Sequence, residues 1–465
     1  MSEPDARRRY AIVGLGGRAY LYLLALTGAH RADGELVGLC ETNPGRLDRA
    51  AGIAARAGVT PPTYPAEAFE RMLVETRPDA VIVTAPDHTH ADYTVRTLEL
   101  GADVVSEKPL AIDAPSCARI FAARRASGRR VRIGFNYRYS PARSLVKEVL
   151  QSGVIGPLTA VNFEWRLDTH HGADYFRRWH RNMRSSGGLL VHKATHHFDL
   201  LNWWLASTAR EVRAEGRRVF YMPETADELG LGDRGERCAG CRAFSKCPVR
   251  LDLSASRSMT ALYADNERHD GYFRDRCVFS SEIDIDDTMR AAITYESGVA
   301  VNYMLTAYTP GEGYRVVFHG KRGELTLETI ERPYLEPDGS LPRPAPPERS
   351  AVVVQPLFSR PYELAIPEAE GEHGGGDALM LRELFGRGGA DPLLRAADDR
   401  AGAWSALVGA TANASIAAAG ATIRLADLAG DIDRPDPEPA AFGPEPPWRT
   451  FDPHRYPFLQ SARQL

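Results

Sequence analysis

The chain has 465 residues, a formal net charge of −4 and 43% hydrophobic residues, which is room for two or three ordinary domains, each with its own core. The balanced charge excludes a nucleic-acid or polyanion binder held by overall charge, and no apolar run approaches the roughly 20 residues of a membrane span. Six cysteines over this length do not make a disulfide scaffold, and the N-terminus passes into a strand pattern without a signal-type apolar core, so the expected location is the cytoplasm.

From Tyr10 the sequence reads YAIVGLGGRAYLYLLAL: a short apolar run, a glycine-rich turn, then a helix-compatible stretch. Gly14, Gly16 and Ala19 fit G-x-G-x-x-G/A, with Gly17 in the same turn, the pattern that lets a pyrophosphate approach a helix N-terminus. A plain strand-turn-helix gives the same short match, so the weight rests on context. A second apolar run ends at Glu41, 27 positions after Gly14. A carboxylate there accepts hydrogen bonds from an adenosine ribose and repels a 2′-phosphate, which favours NAD over NADP, with Arg46 near enough to complicate the choice.

The alternation continues as a helix over 44–57, a strand near Tyr64, a helix over 66–75 and a buried-type strand over 79–84 that ends in Pro86-Asp87-His88-Thr89-His90. A helix over 91–100 and a strand over 103–106 then lead into Glu107-Lys108-Pro109. Such units predict a parallel sheet with right-handed crossovers and ligands at the carboxyl ends of its strands. Residues 131–135 close this domain, taken as 1–135, with Asn136 at the boundary.

Next come His170-His171-Gly-Ala-Asp-Tyr175-Phe-Arg-Arg-Trp179-His180 and the basic cluster Arg177, Arg178, Arg181 and Arg184. The cluster is either a solvated loop or a site for an anionic or hydroxyl-rich ligand; the His, Tyr and Trp groups suit a polyol ring, with CH faces on Trp and hydroxyls on polar side chains. The stretch GGLLVHKATHHFDLLNWW, residues 187–204, packs three histidines and a lysine into six residues. As one helix it sets His192, His196, Asp199 and Trp203 on one stripe and Lys193, His197 and Trp204 on the next.

The glycine-rich turn with Glu41, the strand ending in PDHTH, the strand ending in EKP and the GG-initiated, His-bearing helix together resemble the Gfo/Idh/MocA family of nicotinamide-dependent oxidoreductases, over about residues 10–425. The resemblance implies a Rossmann domain followed by an α+β domain with a large open, mainly antiparallel sheet, whose exposed face makes a homo-oligomer, a dimer or tetramer. It implies a sugar, polyol or related cyclic substrate. Pro86, His90, Glu107 and Lys108 would then flank the nicotinamide, Lys108 orienting the reacting hydroxyl. The family's helix reads GG, three residues, Asp, three residues, His, two residues, Asp. His192 therefore stands where a carboxylate is usual, His196 at the His position and Asp199 at the last Asp. On this mapping His196 takes the substrate proton, Lys108 holds the hydroxyl, and His192 or Lys193 shapes the base. Lys193, His197, His171, Tyr175, Trp179, Arg181 and Asn136 are the candidate substrate contacts. Two other activities fit the same scaffold: an NAD-dependent glycoside hydrolase or lyase that oxidises a ring hydroxyl transiently, and a non-catalytic nucleotide-binding regulator.

Strand alternations follow at 158–165, 289–295, 299–305 and 314–319, with hairpin turns at 296–298 and 320–323. This second domain is taken as 136–430. Between its strands lies an excursion over about 217–281 carrying Cys238-x₂-Cys241-x₅-Cys247, with Cys277 downstream. Four thiolates would make a structural zinc site; an iron-sulfur cluster has the same ligand set, and independently packed thiols are the plain alternative. Residues 333–367 read as an irregular excursion with a strand over 351–354. His373-Gly-Gly-Gly376-Asp377 is a hinge or a ligand-facing loop, helices return at 378–385 and 398–419, and 431–465 is a Pro-rich arm.

Overall fold

The computed structural model describes residues 7–369, 374–386, 389–435 and 451–465. Its first sheet has six strands: β1 Arg8–Val13, β2 Gly34–Glu41, β3 Thr63–Pro65, β4 Ala80–Val83, β5 Asp103–Ser106 and β6 Val131–Ile133. Their spatial order is β3-β2-β1-β4-β5-β6, all parallel. The order reverses beside β1, which opens a crevice at the carboxyl ends of β1 and β4. All four residues of β4 are buried, as expected of a strand covered on both faces. The helix Pro44–Arg56 starts where it does because Pro44 occupies its first turn and the Asn43 side chain accepts from the Gly45 and Arg46 amides.

The second sheet has ten strands: β7 Leu158–Asp168, β8 Ala209–Arg217, β9 Thr288–Tyr295, β10 Ala300–Thr309, β11 Glu312–Gly320, β12 Gly323–Arg332, β13 Arg349–Pro356, β14 Tyr362–Leu364, β15 Ile423–Arg424 and β16 Arg463–Gln464. Its order is β15-β8-β9-β10-β7-β11-β12-β13-β14-β16. Every pairing is antiparallel except β7 with β10. In β10 the inward residues Val301, Tyr303 and Leu305 are buried while Asn302 and Met304 face outward, the alternation of a sheet covered on one side. The helices Asp399–Ala417 and Thr195–Leu205 pack together, and the former also packs on β8.

Three expectations change. The helix expected over 187–204 is two, Gly188–His192 and Thr195–Leu205. Leu189 O accepts both the Lys193 amide at 3.1 Å and the Ala194 amide at 2.8 Å. That extra residue in the turn moves His196 off the stripe of His192, a bulge of the type found at functional sites. Strand β8 was not anticipated, because it buries only the small Ala209, Val212 and Ala214 between its Arg and Glu residues, and β12 was foreshadowed only by the hairpin turn at 320–323. The Pro-rich end does not stay a free arm over its described part, because β16 pairs with β14; residues 436–450 and His373 lie outside the described residues. Among the described residues, no helix is long and apolar enough to cross a membrane.

Candidate active site

The strand ends of the first sheet and the opening of the second domain enclose a cavity of about 720 Å³. At one end is the glycine-rich turn. Gly14 has φ +82°, and a Cβ there would lie 2.5 Å from the Ala85 backbone, so only glycine fits; Gly16 faces open space. Ala19 opens the helix Ala19–Thr27 and is buried against the strands. Glu41, buried at the end of β2, accepts from the Leu15 amide, from Thr42 Oγ1 at 2.8 Å, from the Asn43 amide at 3.0 Å and from Arg46 Nη2 at 3.2 Å. Glycines that admit close approach, a helix N-terminus and a carboxylate at the end of the second strand are the parts a dinucleotide requires.

At the other end two turns and a helix converge. The turn after β4 carries Asp87, the turn after β5 carries Lys108, and the bulged helix carries His192. Asp87 Oδ2 lies 2.5 Å from His192 Nδ1, and His192 Nε2 lies 3.3 Å from Lys108 Nζ, which also donates to the His192 carbonyl at 3.1 Å. All three line the cavity. Burial lowers the Lys108 ammonium to about 8, against the pull of Asp87 and Glu107. Burial drives the His192 imidazole well below its ordinary range, helped by Lys108, and raises the Asp87 carboxyl despite Lys108 and Arg178. The carboxylate absent from position 192 is thus replaced from another element. Asp87 was visible in the PDHTH motif, but sequence alone gave no reason to pair it with His192.

The other expected residues separate into cavity and core. Glu107 accepts from Arg18 Nε at 2.5 Å and Tyr22 OH at 2.8 Å. Pro86 lines the cavity. His90 bridges Pro109 O at 2.7 Å and Ala85 O at 2.8 Å, tying the turns after β4 and β5 together rather than presenting a ring nitrogen to a ligand. Asn136 lines the cavity and donates to Asp377 at 2.7 Å. His196 stacks on Tyr137 with centroids 4.0 Å apart, and Lys193 Nζ donates to Tyr137 OH at 3.1 Å. His171 bridges Glu312 Oε1 at 2.6 Å and Tyr175 OH at 3.1 Å. Trp179 stacks on His180, whose ring centroid is 4.1 Å from that of His192.

Two candidates point elsewhere. His197 is fully buried, bonded to Tyr303 OH at 2.7 Å and stacked on Trp165; it belongs to the core of the large sheet. Arg181 is buried against the excursion, donating to Cys277 O at 3.1 Å. Asp199 is outside the cavity too, both its oxygens taken by Arg138 at 2.8 and 2.6 Å. Glu312 and Glu331 line the cavity and sequence reasoning missed both. Burial works to raise Glu312, but the charge and hydrogen bond of His171 overcome it and hold it at about 2; Glu331 is raised by burial and by Glu312.

The structure does not support the expected zinc site. Cys238, Cys241, Cys247 and Cys277 line one small cavity of about 20 Å³, yet among the described residues no group of three or more His, Cys, Asp or Glu side chains is arranged to hold a metal. Cys238 accepts from the Leu251 amide at 3.4 Å and Cys241 from the Gly235 amide at 3.3 Å. Burial raises the thiols of Cys238 and Cys277, and that of Cys247 to about 11.

Residues 8–135 match the family described as the Gfo/Idh/MocA oxidoreductase family, NAD-binding Rossmann fold, and residues 147–385 match its C-terminal alpha/beta domain. The chain belongs to this oxidoreductase family. A Bacillus subtilis protein named as an oxidoreductase, YteT, is 35% identical over 407 residues, 85% of this chain and 93% of its own length. Inositol 2-dehydrogenase of Rubrobacter xylanophilus is 30% identical over 191 residues, 39% of this chain and 47% of that protein. The WlbA dehydrogenase of Bordetella pertussis, solved with NADH and UDP-GlcNAcA, shares the fold at a TM-score of 0.60 and 19% identity, covering 90% of this chain and 99% of that one. The chain is therefore an NAD-binding oxidoreductase, and the cavity lies at the strand ends of its Rossmann domain.

Proposed function

We propose that the protein is a dehydrogenase or reductase that uses NAD in preference to NADP and acts on a CH–OH carbon of a sugar, polyol or related cyclic compound. The observation that carries this reading is the Asp87–His192–Lys108 chain, set in the same cavity as the glycine-rich turn and Glu41. Nicotinamide, when bound, supplies the hydride acceptor or donor at C4. Lys108 holds the substrate oxygen and, with its ammonium at about 8, releases or takes the hydroxyl proton near neutral pH. His192 Nε2 accepts from Lys108, and Asp87 fixes the His192 ring through Nδ1. Proton handling thus moves from His196 to the residue in contact with Lys108. Names among the relatives, inositol 2-dehydrogenase above all, support a polyol ring, as do Trp179, Tyr175 and His171 on the cavity wall. The outward face of the ten-stranded sheet is the proposed homo-oligomer surface. NADH formation across a panel of inositols, aldoses and uronic acids tests the activity; full turnover in Lys108→Met would sink it.

A second reading draws on Glu331 and His180, two further titratable groups in the same cavity. Transient oxidation of a ring hydroxyl followed by elimination of an aglycone needs such groups beyond the redox set. Release of nitrophenol from an aryl glycoside without NADH accumulation would support it.

A further inference from the structure

The excursion between β8 and β9 does more than connect strands: it forms a wall of the nucleotide end of the cavity. Tyr263, Asp270 and Tyr272 all line that cavity. Tyr263 OH lies 3.3 Å from the Gly17 amide, inside the glycine-rich turn. Asn43, the cap of the helix that follows β2, donates to Asn266 O at 3.0 Å. The fit is close enough that a Cβ on Gly45 would lie 1.8 Å from Asn266 Oδ1. The excursion is thus seated on the first turn of the helix that follows the ribose-facing Glu41.

From that seat Asp270 reaches Arg46. The Arg46 guanidinium contacts Glu41 Oε1 at 3.2 Å and Asp270 Oδ2 at 2.5 Å, with only 11% of its side chain exposed. Asp270 is itself fixed by the Tyr272 amide at 3.1 Å. An arginine in the first turn after β2 is the group that accommodates a 2′-phosphate in dinucleotide sites of this topology. Here two carboxylates neutralise it, so a 2′-phosphate, bearing roughly two negative charges, would meet a net negative surface.

We propose that Asp270, delivered by the excursion, is a specificity-determining residue of the nucleotide site: by occupying Arg46 it selects the unphosphorylated ribose of NAD. This rests on the NAD preference proposed above and adds to it a second carboxylate from the other domain. The excursion, which also packs on its own sheet through Phe220 and Tyr221, then has a reason to reach across to the first domain.

The test needs no substrate. Dissociation constants for NAD+ and NADP+ are measured by quenching of intrinsic fluorescence on the full-length wild type and on Asp270→Asn, and the ratio Kd(NADP+)/Kd(NAD+) is compared. The ratio is expected to fall about tenfold in Asp270→Asn, since one of two charge partners of a largely desolvated guanidinium is removed. Gly45→Ala, which pushes Asn266 and the Asp270 turn away from the other side, is expected to lower the ratio as well. In Arg46→Met/Asp270→Asn the fall disappears, because the cation that would receive the phosphate is gone. An unchanged ratio in Asp270→Asn overturns the proposal, as does a fall that survives loss of Arg46. A wild-type ratio below one would instead overturn the NAD preference, while the shift caused by Asp270→Asn would still decide the role of Asp270.

Discussion

Asp87, in the turn after β4, and His192, at the end of a helix 105 residues on, meet at 2.5 Å, Oδ2 to Nδ1. The contact orients the imidazole so that Nε2 faces the ammonium of Lys108 at 3.3 Å. A His in place of the usual carboxylate does not leave the lysine without a negative partner: the charge sits one ring further away. Asp87→Asn is expected to lower kcat for alcohol oxidation about 10²-fold, the scale of general acid–base assistance. Asp87 raises the Lys108 ammonium against the effect of burial, so the same variant should move the pH at half-maximal rate downward. A purely structural loss would leave that midpoint in place, which makes the pH profile the decisive measurement.

Lys108 sets the wild-type profile itself. Burial brings its ammonium from the ordinary lysine range to about 8. The neutral amine accepts a proton from the substrate, so the oxidation rate should rise with pH through about 8 and level above it. Reduction of a ketone needs the ammonium as donor and should run the opposite way. Lys108→Arg, a cation at every accessible pH, is expected to lose the rising limb and at least 10²-fold in kcat. Initial rates between pH 6 and 10 in both directions check the sign.

His197 is expected to matter for stability and not for chemistry. It bonds to the buried Tyr303 hydroxyl at 2.7 Å and lies flat on Trp165. His197→Phe keeps a ring in that stack and leaves the Tyr303 hydroxyl without its partner, at a cost of about 1–3 kcal/mol. The denaturant midpoint should fall accordingly, while kcat at saturating substrate stays within about twofold, well short of the effect of losing an acid–base group.

How far the sequence reached depended on what kind of signal each feature leaves. The alternation of buried strands with capped helices is local and strong, so β1 to β6 and their ligand-facing ends were readable, Glu41 and Lys108 included. The histidine helix was readable as a cluster but not as a geometry. One extra residue in a turn, Leu189 O accepting two successive amides, separates His196 from His192 and sends His197 into the core. Asp87, Glu312 and Asp270 act through contacts across 105, 141 and 224 positions of chain, distances over which no periodicity carries information. The cysteine spacing left metal binding and plain packing open. It is short enough for chelation and brings the four sulfurs to one small cavity beside Val249, Val278 and Phe279, where Cys238 and Cys241 accept backbone amides.

The Arg138–Asp199 pair is buried, bidentate and away from the cavity, so its loss should read as instability. Arg138→Met would leave the Asp199 carboxylate uncompensated at a cost of about 3–5 kcal/mol. Burial raises the Asp199 carboxyl even with Arg138 present, so without it the folded state binds a proton more tightly than the unfolded chain does. Stability of the variant relative to wild type should therefore recover as the pH is lowered and fall as it rises through the folded value. Unfolding midpoints at several pH values check the direction, and a deficit independent of pH would mean lost packing rather than a stranded charge.

Glu331 separates the two functional readings. Burial and the neighbouring Glu312 raise its carboxyl, the condition for a group that gives a proton to a leaving oxygen. Simple hydride transfer at a ring hydroxyl has no leaving group and no use for such a donor. If the protein is a dehydrogenase, Glu331→Gln keeps the shape of the cavity wall and should change kcat for NADH formation by less than about tenfold. If transient oxidation leads to elimination, the same variant should lose 10²-fold or more in nitrophenol release from an aryl glycoside with a poor leaving group, and much less with a good one, because only a basic leaving oxygen needs the proton. The dependence of the defect on leaving-group basicity distinguishes a proton donor from a residue that merely shapes the site.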